Sequence, residues 1–120
     1  MSILSSVSFY PCSDIERTTA FYRDVIGLSL HQDQGSCRIF DTGYGYWGFC
    51  QYEDRTPRPE GLCLSLNCED VEDVNAFYEK LKSRCKVLQE PAWHARFPVY
   101  SFFVEDPDGY QVEFQKIKED

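Results

Sequence analysis

SDIERTTAFYRDV, residues 13–25, and EDVEDVNAFYEKL, residues 69–81, are two versions of one phrase, and their spacing decides how the chain is read. At a fixed offset of 56, Cys12, Asp14, Glu16, Ala20, Phe21 and Tyr22 recur as Cys68, Asp70, Glu72, Ala76, Phe77 and Tyr78. Apolar positions repeat with them. Ile15, Thr18, Tyr22 and Val25 match Val71, Val74, Tyr78 and Leu81, at the three-and-four spacing that lines one face of a helix. Each copy is therefore predicted to be an amphipathic helix with the same buried stripe. Ser13 followed by Glu16 has the pattern of a capping box, which starts the first helix at Ser13, and Gly27 stands where a left-handed cap would end it. Asp70 is the expected cap of the second helix.

Working outward, a strand-like run precedes each helix, Ser5 to Tyr10 and Leu62 to Asn67. Three more follow in each half: Leu28 to Gln32, Ser36 to Asp41 and Tyr46 to Tyr52, then Lys86 to Gln89, Val99 to Glu105 and Tyr110 to Lys116. Each half reads strand, helix, three strands. EDRTPRPEG, residues 53–61, carries two prolines and a glycine among charges and marks an exposed connector. DPDG, residues 106–109, is a hairpin turn. The expected organisation is one domain over residues 1–120, with a first module at 1–52, a linker at 53–61, a second module at 62–117 and a polar tail at 118–120. A half of this size, with one helix on one face of a short sheet, leaves its other face wet, so pairing of halves or of chains completes it.

Composition narrows the function. A hydrophobic fraction of 42% and an aromatic fraction of 16% suit a packed globular protein with rings to spare for a pocket wall. Twenty acidic against twelve basic residues give a net charge of −8 without any basic run, which excludes nucleic acid and anionic membranes as expected partners. No apolar run is long enough to span a bilayer and the start lacks a signal-peptide pattern, so a cytoplasmic location is expected. The six cysteines contain no CxxC pair. Without an export signal they are expected to be reduced thiols, and a zinc knuckle is excluded. No GxSxG is present, and GYGYWG, residues 43–48, leads into a strand rather than a phosphate-binding helix.

The doubled module, with AFYRDVIGL after its first strand, LCLSLNCEDVEDVNAFY at the centre and DPDGYQVEF at the end, resembles the glyoxalase I, bleomycin-resistance protein and extradiol dioxygenase superfamily over almost the whole chain. The resemblance implies an α+β fold of two βαβββ modules, with strands forming a curved, half-open mixed sheet around a cavity, helices outside, and a homodimer. It also implies where a divalent metal would be held, by one residue from the first and one from the last strand of each module. Carried onto this chain, those positions are Val7, Cys63, Glu113 and, through a match of Gly45 with Gly109, Phe49. Valine and phenylalanine cannot bind a metal, and Glu113 alone is a hard oxygen ligand. The expectation is therefore no metal and no other cofactor. The alternative is one divalent ion held by Gln51, Cys63 and Glu113.

If Glu113 faces the cavity, Gln111 and Gln115 lie beside it. Pairing Glu105 with Tyr110 across the hairpin then puts Tyr100, Phe102 and Val104 on the same face. In the first module the same reasoning selects Phe9, Trp47, Phe49 and Gln51, with Ser65 and Cys63 in the second, and gives an aromatic trough. Glu113 is either a general base with a raised pKa or a polar anchor, the anchor being preferred. The loop EPAWHARFP, residues 90–98, brings Trp93, His94 and Arg96 to the rim as a cover. Arg38 can point either way, and His31 is expected in solvent. The function that follows is a binding protein for a hydrophobic or aromatic, optionally cationic, small molecule. The alternative is a metal-dependent lyase, isomerase, dioxygenase or thiol transferase of the same superfamily.

Overall fold

The computed structural model describes residues 1–119; Asp120, the end of the expected polar tail, lies outside the described residues. Its contacts divide the chain into two compact units, Met1–Arg58 and Pro59–Asp120. Each unit contains one strand-helix-three-strand module, and the α+β reading of the repeat is the architecture found.

In unit one, β1 (Val7–Pro11) leads to α1 (Ile15–Thr19), which continues as a wider, π-type helix over Ala20–Ile26 and is followed by β2 (Ser29–Asp33), β3 (Cys37–Asp41) and β4 (Tyr46–Cys50). The strands lie in the order β1-β4-β3-β2, with β1 parallel to β4 and the rest antiparallel. Gly27 ends the helix at φ 97°, its N–H reaching back to the Tyr22 carbonyl. The N-cap differs from the sequence expectation. Asp14 rather than Ser13 holds that place, because the Asp14 carboxylate accepts the N–H groups of both Glu16 and Arg17 while the Ser13 hydroxyl accepts from the Arg17 guanidinium. The helix packs its stripe on the sheet through Tyr22, which stacks on Phe49 at 4.3 Å and meets Trp47 edge-on.

Unit two repeats the plan with β5 (Cys63–Asn67), α2 (Val71–Leu81), β6 (Lys86–Trp93), β7 (Val99–Glu105) and β8 (Gln111–Ile117), in the order β5-β8-β7-β6. Asp70 caps α2 as expected, accepting the Asp73 N–H. Val74 and Leu81 are fully buried, and Phe114 stacks between Phe77 of the helix and Phe102 of the neighbouring strand. The β7–β8 turn is held by Asp106, whose Oδ1 accepts from the N–H groups of Asp108 and Tyr110, with Gly109 at φ 92°. β6 runs four residues further than its apolar pattern indicated. As an edge strand it accommodates Pro91, so residues 90–93 of the expected cover loop are strand, and the turn is confined to residues 94–98.

One expectation about the cysteines is overturned. Cys37 and Cys50 face each other as partners on β3 and β4 and are joined as a disulfide. Thirteen residues of sequence separation concealed a pairing that only the strand register creates. Among the described residues no helix is long and apolar enough to cross a membrane.

Candidate functional site

Each helix covers one face of its own sheet, so chemistry open to a ligand belongs to the opposite face. In unit two, β8 runs beside β5 with Gln111, Glu113 and Gln115 directly opposite Cys63, Ser65 and Asn67. The central group is Glu113. Its Oε1 accepts a 2.5 Å hydrogen bond from the Ser65 hydroxyl and a longer one, 3.7 Å, from the Cys63 thiol. Burial pushes that thiol above its usual range, and the neighbouring carboxylate adds to the effect, while the contact with Ser65 opposes it. Cys63 is accordingly a proton donor here and a poor nucleophile. One row along, the Gln115 amide nitrogen donates to the Asn67 oxygen at 3.0 Å.

On the other side of β8, Glu113 faces Phe103 of β7, and Phe103 faces Gln89 of β6. Leu88 is the extra residue of a bulge at that point, and Leu88, Gln89, Phe103 and Gln111 line a depression of about 280 Å³. The carboxylate thus stands beside a small, partly apolar hollow.

The sequence brought Ser65, Gln111 and Glu113 to this face, and the structure joins them there. It turns several others away. The hairpin closes between Asp106 and Tyr110, so Glu105 pairs with Gln111 and Phe103, not Phe102, stands opposite Glu113. A shift of one residue reverses every side chain on a strand. Phe102 and Val104 are consequently in the core under α2, and the Tyr100 hydroxyl bonds Asn75 of that helix at 2.7 Å. Phe103, Gln89 and Leu88 were the residues missed. The only sequence signal for them was the alternation itself, one residue out of phase.

The same slip occurs in unit one. Val7 pairs with Tyr46 where its counterpart Cys63 pairs with Gln111, which makes Gly48 the counterpart of Glu113. The β3–β4 loop, residues 42–45, is one residue shorter than residues 106–110, and matching glycine to glycine ignored that. Trp47 and Phe49 therefore face the helix and contact Tyr22. Phe9 does lie on the open face. Its ring covers Gly48 so closely that a Cβ there would come within 2.6 Å of it. Gln51 lies just past β4 with its amide oxygen accepting the Ile15 N–H at 2.9 Å, at the start of α1.

At the tip of the β6–β7 hairpin, the His94 Nδ1 accepts the N–H groups of Arg96 and Phe97, which shapes the turn, while Trp93 packs on Tyr100. Arg38 points to the helix side, bonding Glu16 at 2.7 Å and lowering the pKa of that carboxyl. His31 is exposed, with its ring over Tyr46.

The four positions at which the resemblance implies metal ligands are thus Val7, Gly48, Cys63 and Glu113, of which two carry no donor atom. A divalent metal normally needs at least three protein ligands, and among the described residues no three His, Cys, Asp or Glu side chains converge. The donor set does not fit such an ion.

Two sheets, each with a helix on one face and an open face on the other, define a doubled βαβββ protein with its polar chemistry in the second repeat. The family model described as glyoxalase/bleomycin resistance protein/dioxygenase superfamily matches residues 4–114, and the chain belongs to that superfamily. It is 26% identical over 117 residues to a probable lactoylglutathione lyase of Synechocystis sp., covering 83% of this chain and 85% of the relative. It is 28% identical over 123 residues to a lactoylglutathione lyase of Haemophilus influenzae, covering 88% and 86%. A solved glyoxalase/bleomycin resistance protein/dioxygenase from Nocardioides shares the fold at TM-score 0.79 and 13% identity, over 99% of this chain and 85% of that one.

Proposed function

We propose that this protein is a small-molecule-binding member of its superfamily that works without a resident metal and anchors its ligand on Glu113. The observation that carries the reading is the fate of the two equivalent positions. Glu113 is a carboxylate oriented by Ser65 and Cys63, whereas its counterpart is Gly48 under the Phe9 ring. Phe103, with the hollow at Leu88 and Gln89, supplies apolar surface for an aromatic or hydrophobic ligand. Cytoplasmic residence and a homodimer belong to the same reading.

The competing function is a metal-dependent enzyme, favoured by the names of the two curated relatives. Elemental analysis of the purified protein separates the two, together with an assay for lactoylglutathione lyase activity in added zinc, nickel or manganese. Substoichiometric metal and no activity are expected. One equivalent of metal, lost in Glu113→Gln, would overturn the proposal.

A further inference from the structure

We infer that the open face of unit two selects a planar cation that donates N–H groups, an amidinium or guanidinium with a small apolar substituent, over a quaternary ammonium. This rests on Glu113 being the anchor of a small-molecule site.

Ser65 and Cys63 both donate to Oε1 of Glu113, and no partner reaches Oε2 among the described residues. The carboxylate is thereby fixed in orientation with one oxygen presented to the open face. Its charge is uncompensated: Lys86, one row away on the same face, is paired with Glu105 at 3.4 Å, and no ion pair involves Glu113 among the described residues. Gln115 reinforces this polarity, because its amide nitrogen is engaged by Asn67 and its oxygen remains as a second acceptor on the same strand face. The face presents acceptors, and it calls for a donor.

The shape of the donor follows from the aromatic residues. A quaternary ammonium has no N–H to give and relies on several ring faces around it. Phe102 and Phe114, which could have formed such a cage, are in the core, and among the described residues Phe103 is the one ring paired across from Glu113. One flat ring opposite one carboxylate suits a flat cation, whose charge-assisted N–H bonds go to Oε2 while its plane lies along Phe103. The 280 Å³ hollow between Phe103, Leu88 and Gln89 then takes the apolar substituent.

Calorimetric titration of the full-length protein with benzamidine, phenyltrimethylammonium and benzyl alcohol tests the assignment. Benzamidine is expected to bind at least about tenfold more tightly than either of the others and to lose at least about tenfold in Glu113→Gln, the change expected for a charge-assisted bond. Phe103→Leu, which keeps the hollow lined, is expected to weaken benzamidine several-fold and serves as a second probe should Glu113→Gln fail to fold. If phenyltrimethylammonium binds as well as benzamidine, or Glu113→Gln leaves benzamidine unaffected, the donor-cation inference falls while the binding function stands. If none of the three binds at millimolar concentration, both fall.

Discussion

The two modules share one phrase and differ where it matters for chemistry. Their helices and the covered faces of their sheets remain alike: Tyr22 on Phe49 in one, Phe77 and Tyr78 on Phe114 and Phe102 in the other. Their open faces differ along the first and last strands. Val7, Phe9, Gly48 and Cys50 stand in the first module where Cys63, Ser65, Glu113 and Gln115 form a row of hydrogen-bonding groups in the second. The covered face is constrained by packing density, which penalises almost any change of volume. The open face of the second sheet is less tightly packed, with Cys63 and Ser65 exposed beside Glu113.

The strongest way to break this comparison is to treat a covered ring as though it were a ligand contact. Phe49→Ala removes a fully buried ring stacked on Tyr22 and is expected to cost about 3–5 kcal/mol in urea unfolding. Phe9→Ala, on the open face with 48% exposure, should cost less than about 1 kcal/mol. Equal losses would mean that the two faces are misassigned.

Gly48→Ala probes the loss of the Glu113 counterpart. Its new Cβ collides with the Phe9 ring, so the substitution is expected to destabilise by about 1 kcal/mol in the wild-type background. In Phe9→Ala the collision is gone, and the gain over glycine in a strand, about 0.5–1 kcal/mol, should make the same change stabilising. A double-mutant cycle with no coupling would refute the contact.

A subtler asymmetry lies in the helices. Thr18 is fully buried and its hydroxyl has no hydrogen-bond partner among the described residues, whereas the repeat places Val74 at the matching position. Thr18→Val would give the first module the second's residue and is expected to stabilise by about 1 kcal/mol, read as a rise in Tm. A fall would reveal a partner for that hydroxyl.

Much of the fold could be read in the chain because its cues are local. Helix period, the left-handed Gly27 and the Asp70 cap each depend on a few neighbouring residues, and the DPDG turn announces itself. The site was legible only in part. Glu113, Ser65 and Gln111 could be placed on one face by alternation along their own strands, and Cys63 beside them by the repeat. Trp47, Phe49 and Phe102 could not, because the face of a strand depends on which residue closes the hairpin before it, and a single residue of loop length reverses the answer.

By itself, then, the sequence determined the modules, their repeated helices and the presence of one singular carboxylate, since hydrophobic period and turn chemistry act at short range. Register was decided only in the tertiary structure. The hydrogen bonds between strands put Ser65 beside Glu113, Phe103 across from it, Gly48 in the corresponding place and Cys37 against Cys50. Those pairings, whether across a hairpin or between the first and last strands of a module, are indifferent to side-chain identity, because backbone groups make them.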